Sequence, residues 1–266
     1  MNIKESAELI NIYLDLDRDP VAVKFLHSED DYNNLDLEQR EHKVSYCNAV
    51  ALASTGKAMK VKLAHQACPN GSSALGISPV PEPMKTGAKR HSLGIYDTVE
   101  TSKKMFDQMD LYDKEVYGMA VAPISESNFT PDVVIVVSKS YNIMRIIQGY
   151  SYKYGYDNNI KTVGLQAVCH DLTTAPLLND GINISFLCPG TRLVANWQED
   201  EIGVGISFTK WMDTVDGLIQ TTNPFTRNDK KDRIIKKLEE RGMDSSHIVK
   251  NKNYDTGSYV GGKVDL

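Results

Sequence analysis

The sequence predicts an α/β or α+β fold: two similar half-domains related by a pseudo-two-fold axis, with a mixed sheet and flanking helices. Three observations lead there. Aliphatic strand-like runs alternate with helix-period segments along most of the chain. The four cysteines fall into two pairs of nearly equal spacing, with 20 residues between Cys47 and Cys68 and 18 between Cys169 and Cys188. The text around the pairs also repeats. Cys68-Pro69-Asn70-Gly71 matches Cys188-Pro189-Gly190, and Asp19-Pro20-Val21-Ala22-Val23 matches Pro131-Asp132-Val133-Val134-Ile135.

Asn2 and Glu5 are spaced as a capping box for a first helix that places Ile3, Ala7, Ile10 and Leu14 on one face. Val21, Val23 and Phe25 alternate as a strand, with Lys24 on its other side. Glu29 to Glu41 is an acidic loop or short helix. Cys47 to Met59 is rich in small residues and reads as a helix, so Cys47 stands near a positive dipole end that favours a thiolate. Val61 to Ala67 reads as a strand entering Cys68. Three prolines between Pro79 and Pro83 mark an irregular connection, and the basic segment Lys85 to His91 follows it as a candidate anion-binding loop. Thr98 to Met109 is a helix, Gly118 to Ile124 and Asp132 to Lys139 are buried strands, and Tyr141 to Tyr154 is a helix packed on them. Ile182 to Leu187 alternates up to Cys188, Ile202 to Phe208 is a strand, and Thr209 to Thr221 is a helix.

At 266 residues the chain can bury a full core. The expected organisation is one globular domain over 1–226, made of halves at about 1–115 and 116–226, then a C-terminal helix and tail over 227–266. A net charge of −5 argues against nucleic acid, which requires a basic face. The longest apolar run, Val133 to Val137, falls far short of the roughly 20 residues that span a bilayer, so no membrane partner is expected. The N-terminus has neither an apolar core nor a cleavage site, which points to the cytoplasm. In that reducing compartment widely spaced cysteines serve as metal ligands, nucleophiles or buried thiols rather than disulfides.

Four thiolates make a complete soft first shell for an iron–sulfur cluster, zinc or copper(I). Zinc is commonly held by short Cys-x-x-Cys knuckles, which this chain lacks; long spacing suits a [4Fe–4S] cluster held between two halves, with Cys47, Cys68, Cys169 and Cys188 as ligands. Gly71 and Gly190 beside the ligands let backbone approach the cluster and aim N–H groups at it. His65, His170 and Arg192 are the candidate catalytic groups on the substrate side. The histidines could act as acid/base or replacement ligands, and the arginine could offset thiolate charge or grip an anion. Their structural alternatives are partly exposed histidines and an arginine paired with Glu199 or Glu201. No Gly-x-Gly-x-x-Gly after a strand, Walker loop, His-Glu-x-x-His or Gly-x-Ser-x-Gly is present, which disfavours nicotinamide, P-loop and standard esterase chemistry.

An ordered set of these residues resembles the prokaryotic family catalogued as domain of unknown function one hundred sixty-nine. The resemblance runs from Pro20 to Ser207. It is carried by Pro20-Val-Ala-Val-Lys24, Cys47 before a small-residue helix, Cys68-Pro-Asn-Gly71 with Leu75-Gly76, and Pro131-Asp-Val-Val134. Cys169, Cys188-Pro-Gly-Thr-Arg192 and Asp200-Glu201 complete it. Gly-Asp often precedes that arginine in the family, whereas Gly190-Thr191 stands here, which weakens a role for an acid at that point. The resemblance implies no reaction, but it implies an anaerobic setting in which oxygen-sensitive clusters persist.

The leading expectation is an iron–sulfur protein of anaerobic metabolism. It would transfer electrons, or act on a small anionic substrate through an open iron, with that molecule or a redox protein as partner and a homo-oligomer left open. Its alternatives are a scaffold with structural zinc or a bound ligand such as a tetrapyrrole, and an enzyme with a cysteine nucleophile.

Overall fold

The structure, a computed structural model, describes residues 1–156 and 159–251. The expected C-terminal tail, apart from Asn251, lies outside the described residues. Six strands, β1 (Val21–Leu26), β2 (Met59–Lys62), β3 (Gly118–Pro123), β4 (Val133–Lys139), β5 (Ile182–Ser185) and β6 (Glu201–Ser207), form one sheet in the order β2-β3-β1-β4-β6-β5. Helix α1 (Ile3–Leu14) precedes β1, and α2 (Glu29–Asn34) and α3 (Tyr46–Ala53) lead to β2. Four short helices, α4 (Pro69–Ala74), α5 (Glu82–Lys85), α6 (Ala88–Ser92) and α7 (Val99–Asp107), fill the connection to β3. Helix α8 (Ser140–Tyr154) follows β4, and a π-helix (Ala167–Thr174) with α9 (Ala175–Leu178) precedes β5. Then come α10 (Pro189–Ala195) before β6, and α11 (Phe208–Gln220), α12 (Thr222–Phe225) and α13 (Asn228–Glu240) after it.

Every neighbouring strand pair is antiparallel, which corrects the expectation of a mixed sheet. The reason is an insertion. Strands β1 and β2 are both antiparallel to β3 between them and therefore parallel to each other, and β4 and β5 stand in the same way about β6. Each is a split β-α-β unit. Strand–helix alternation in sequence reports the crossover but not the third strand that fills the gap. Chain order within the two units agrees: a central strand, a cysteine-bearing helix, an edge strand, a cysteine at a helix N-cap, then the inserted strand.

Period-two alternation divides the apolar side chains between two layers. Ala22, Val134, Val136, Val204 and Ile206 meet Ile10, Ile143, Ile146, Trp211, Val215, Ile234 and Leu238 from α1, α8, α11 and α13. Val21, Val23, Phe25, Val133, Ile135 and Val137 face the other way, onto Ala49 and Val50 of α3, Leu75, and Val168 and Leu172 of the π-helix. The capping box of α1 forms as its spacing predicts: Glu5 N donates to Asn2 Oδ1 at 2.9 Å and Asn2 N to Glu5 Oε2 at 3.1 Å.

Glycine sets the depth of the cysteine layer. A Cβ on Gly205 of β6 would stand 2.1 Å from the Leu172 carbonyl oxygen, and one on Gly203 2.4 Å from Leu172 Cδ1. Only bare backbone lets the π-helix lie this low on the sheet.

Candidate functional site

All four cysteines line one cavity of about 890 Å³ on the layer opposite α1, α8 and α11. Each arrives by local geometry. Ser45 caps α3 by accepting from Asn48 N at 3.3 Å, which seats Cys47 in the first turn, where its sulfur is hydrogen-bonded to the Ser45 hydroxyl at 3.1 Å. Cys68 and Cys188 are N-caps, each followed by a proline at the first helical position. Gly71 N donates to Cys68 Sγ at 3.4 Å, and Thr191 Oγ1 accepts from Cys188 N at 3.0 Å. Cys169 sits in the π-helix and donates to the Gln166 carbonyl at 3.6 Å. A buried hydrogen bond of 2.9 Å between Tyr46 and Thr173 ties the Cys47 helix to the Cys169 helix.

Two residues without glycine's freedom hold left-handed backbone here: Gln166 (φ 52°), just before the π-helix, and Leu187 (φ 66°), just before Cys188. Such strain at non-glycine residues, with a π-helix beside it, is a pattern that clusters at functional sites.

The sulfurs are close enough to act on one another electrically. Burial pushes the Cys169 thiol well above its ordinary range, and the neighbouring Cys68, Cys47 and Cys188 push it further. Burial also raises Cys47, with Cys68 and Cys188 adding to it and the Ser45 hydroxyl opposing. The helix-end position expected to favour a Cys47 thiolate is therefore outweighed by desolvation. Among the described residues, no three His, Cys, Asp or Glu side chains converge tightly enough to hold one bare ion. Gly71 and Gly190 both line the cavity; a Cβ at either would meet cysteine sulfur only at ordinary contact distance, 3.7 Å from Cys68 Sγ and 3.9 Å from Cys188 Sγ.

The other candidates point elsewhere. His65 lies in a 3-10 turn, accepts a long bond of 3.4 Å from Lys62 N and does not line the cavity; its pKa is lowered by desolvation and by Lys62. His170 is buried behind the π-helix. Asp110 N donates to its Nε2 at 2.9 Å, so Nε2 is the acceptor nitrogen and the ring proton sits on Nδ1, which faces Asp171 Oδ1 at 2.8 Å. Asp171, fully buried, also accepts from Ser185 at 2.7 Å and Thr162 at 3.1 Å. His170 and Asp171 together fasten the π-helix from behind. Lys24 lies on the opposite side of β1 from Val23 and donates to the Thr130 carbonyl at 3.2 Å.

Arg90 reaches the cavity without being singled out in the sequence. It belongs to the basic segment Lys85 to His91, yet only its side chain is buried there among exposed neighbours. Its Nη2 donates to Gln166 Oε1, whose amide in turn donates to the Asn70 carbonyl at 3.2 Å. Charge run and spacing could identify the segment but not the one residue whose side chain turns inward.

A family model described as Uncharacterised ArCR matches residues 9–217, a stretch holding all four cysteines and all six strands of the sheet. The chain belongs to the DUF169 family. An uncharacterized protein of Methanocaldococcus jannaschii is 27% identical over 223 residues, covering 81% of this chain and 93% of the relative. No solved structure matches.

In this DUF169 protein Arg192 is a brace. It donates to three backbone carbonyls, those of Gln198, Phe186 (2.9 Å) and Glu201 (3.1 Å), joining the end of β5 to the start of β6. Arg192→Lys replaces the planar fork by one point donor. The expected result is a loss of about 1–2 kcal/mol in denaturant unfolding, with metal content per chain unchanged. Lost metal with undiminished stability would instead return Arg192 to the site.

Proposed function

We propose that this protein is a cytoplasmic iron–sulfur protein of anaerobic metabolism. One [4Fe–4S]-type cluster would be held by Cys47, Cys68, Cys169 and Cys188, for electron transfer or for cluster-assisted chemistry on a small anionic substrate. The observation that carries the reading is the meeting of four sequence-distant thiols in one cavity, where Cys68 and Cys188 oppose the ionisation of both Cys47 and Cys169. Cys47 and Cys169, which resist forming thiolates, need a cationic partner to become stably ionised in this cavity. The matching chain order of the two split β-α-β units supports the finer view that the halves are related by a pseudo-two-fold axis, with Cys47 answering to Cys169 and Cys68 to Cys188.

The donor set fits such a group. A single tetrahedral zinc would draw its sulfurs to about 3.8 Å from one another, given Zn–S bonds near 2.3 Å. A cluster contributes sulfides of its own and leaves its protein ligands further apart than a single zinc does. A cysteine nucleophile is less well supported, since burial raises Cys47 and Cys169 rather than lowering them. When bound, the cluster would supply a one-electron couple or, were only three of the cysteines to ligate and one iron left open, a Lewis acid. The chain's own part is to surrender the thiol protons, to offer the Gly71 N–H and the Ser45 hydroxyl to sulfur, and to keep the site under apolar cover.

The test is anaerobic purification and reconstitution, followed by iron and acid-labile sulfide analysis and a visible spectrum. Four irons and four sulfides per chain are expected, with broad absorption that bleaches on reduction. A colourless, iron-free product after reconstitution would overturn the proposal, and stoichiometric zinc would favour the scaffold reading.

A further inference from the structure

The cavity holds more than sulfur. Arg90 is only 4% exposed and lines the same cavity, yet its Nη1 has no hydrogen-bond partner among the described residues and no carboxylate pairs with it there. The rest of the guanidinium is positioned: Nη2 is held by Gln166 and lies 3.9 Å from Met109 Sδ, and the group sits 5.6 Å from the Phe106 ring centroid. A buried cation with an idle donor is costly unless something arrives to meet it. Around it the walls are apolar, from buried Met84 and Val168 to Leu93 (59% exposed), Ile95 (44%) and Val194 (51%) at the mouth. Large side chains left open around a concave site mark a surface that a ligand covers.

We infer that this cavity binds an organic monocarboxylate with an apolar body, its carboxylate on Arg90 and its hydrocarbon against Met84, Leu93, Ile95 and Val194. The inference rests on reading the cysteine cavity as the working site, though not on the cluster itself. The charge count selects the class. One buried guanidinium balances one negative charge, and with Nη2 committed to Gln166 its idle Nη1 suits a single carboxylate oxygen, whereas a phosphate dianion would bring uncompensated charge into apolar surroundings. Lys43 and Lys89 belong to the cavity too, but both are exposed and keep their charge in water. The volume accommodates a ligand of a dozen or more heavy atoms beside the sulfurs.

The test is calorimetric titration of the full chain, metal-free and reconstituted, with sodium octanoate, with neutral octanamide and with inorganic phosphate. Octanoate is expected to bind one per chain, about ten- to hundredfold tighter than octanamide, with phosphate inert, as the loss of a charge-assisted hydrogen bond requires. Arg90→Met should abolish that preference and leave octanamide unaffected. Because the substitution is buried, Leu93→Asp at the exposed rim provides an independent arm and should weaken octanoate about tenfold or more by placing a like charge at the mouth. Equal binding of octanoate and octanamide, octanoate binding undiminished in either variant, phosphate bound in an Arg90-dependent way, or no octanoate bound would each overturn the inference. The two proposals fail separately. Octanoate selectivity in a chain that never takes up iron removes the cluster alone, and four irons without octanoate binding removes the carboxylate site alone.

Discussion

Cys169→Ser is expected to abolish cluster incorporation while leaving the metal-free fold intact. The serine hydroxyl has nearly the shape of the thiol and can donate to the same Gln166 carbonyl, so packing in the π-helix persists. It cannot replace a soft thiolate. Iron and sulfide per chain should fall from four to near none after identical reconstitution, with far-ultraviolet circular dichroism unchanged. Full iron and an unaltered spectrum would remove Cys169 from the ligand set. A pH signature accompanies this. Cys169 and Cys47 are held above the ordinary thiol value of 9.0, so the folded state keeps protons that the unfolded chain releases. Their contribution to stability is complete below about pH 9 and is lost as pH rises beyond it. Metal-free protein should therefore melt progressively lower from about pH 8 to pH 10, and Cys169→Ser should show a shallower fall. Parallel melting curves for the two proteins would argue that the Cys169 thiol titrates alike in both states.

Gly205→Ala is expected to damage both fold and site through one methyl group. The new Cβ would stand 2.1 Å from the Leu172 oxygen, 2.6 Å from its carbonyl carbon and 2.7 Å from its Cα, all backbone atoms that cannot turn aside. Relief requires lifting the π-helix from β6. The cost is about 1–3 kcal/mol or more, seen as a drop of roughly 5–10 °C in the unfolding midpoint. Leu172 lies in the same π-helix as Cys169, so the shift also moves a sulfur, and reconstituted iron should fall below that of the wild type. Gly190→Ala is the contrasting case, since its Cβ would meet Cys188 Sγ only at 3.9 Å and stability should change little. A Gly205→Ala protein with wild-type melting would show that the π-helix rides higher than described.

Much of the fold was legible because its signals are local. The Asn2–Glu5 spacing foretold a real capping box, and the alternation in Val21 to Phe25 and Val133 to Val137 placed both central strands with their burial. The meeting of the cysteines was legible from their repeated text. Antiparallel pairing throughout was not, because no residue in β1 or β2 records that β3 will enter between them. The candidate substrate-side groups His65, His170 and Arg192 do not line the cavity, for a different reason. His170 shares the π-helix with Cys169, but its ring is turned away from the cavity, held between Asp110 N and Asp171. Nearness in sequence to a cysteine does not report which way the neighbouring ring turns. Arg90, distant from every cysteine in sequence, is brought in by tertiary packing.

The seam between β1 and β4 has a mechanical consequence. Its register extends only from Val21↔Ile135 to Val23↔Val133, while β4 and β6 run together from Val133 to Lys139. Cys47 and Cys68 travel with one side of that seam, Cys169 and Cys188 with the other. Flexing about it would alter the gap between the pairs far more than the separation within either pair. Whatever occupies the gap acts as a clasp across the sheet's shortest internal joint, and its grip would be felt as stiffness of the entire molecule.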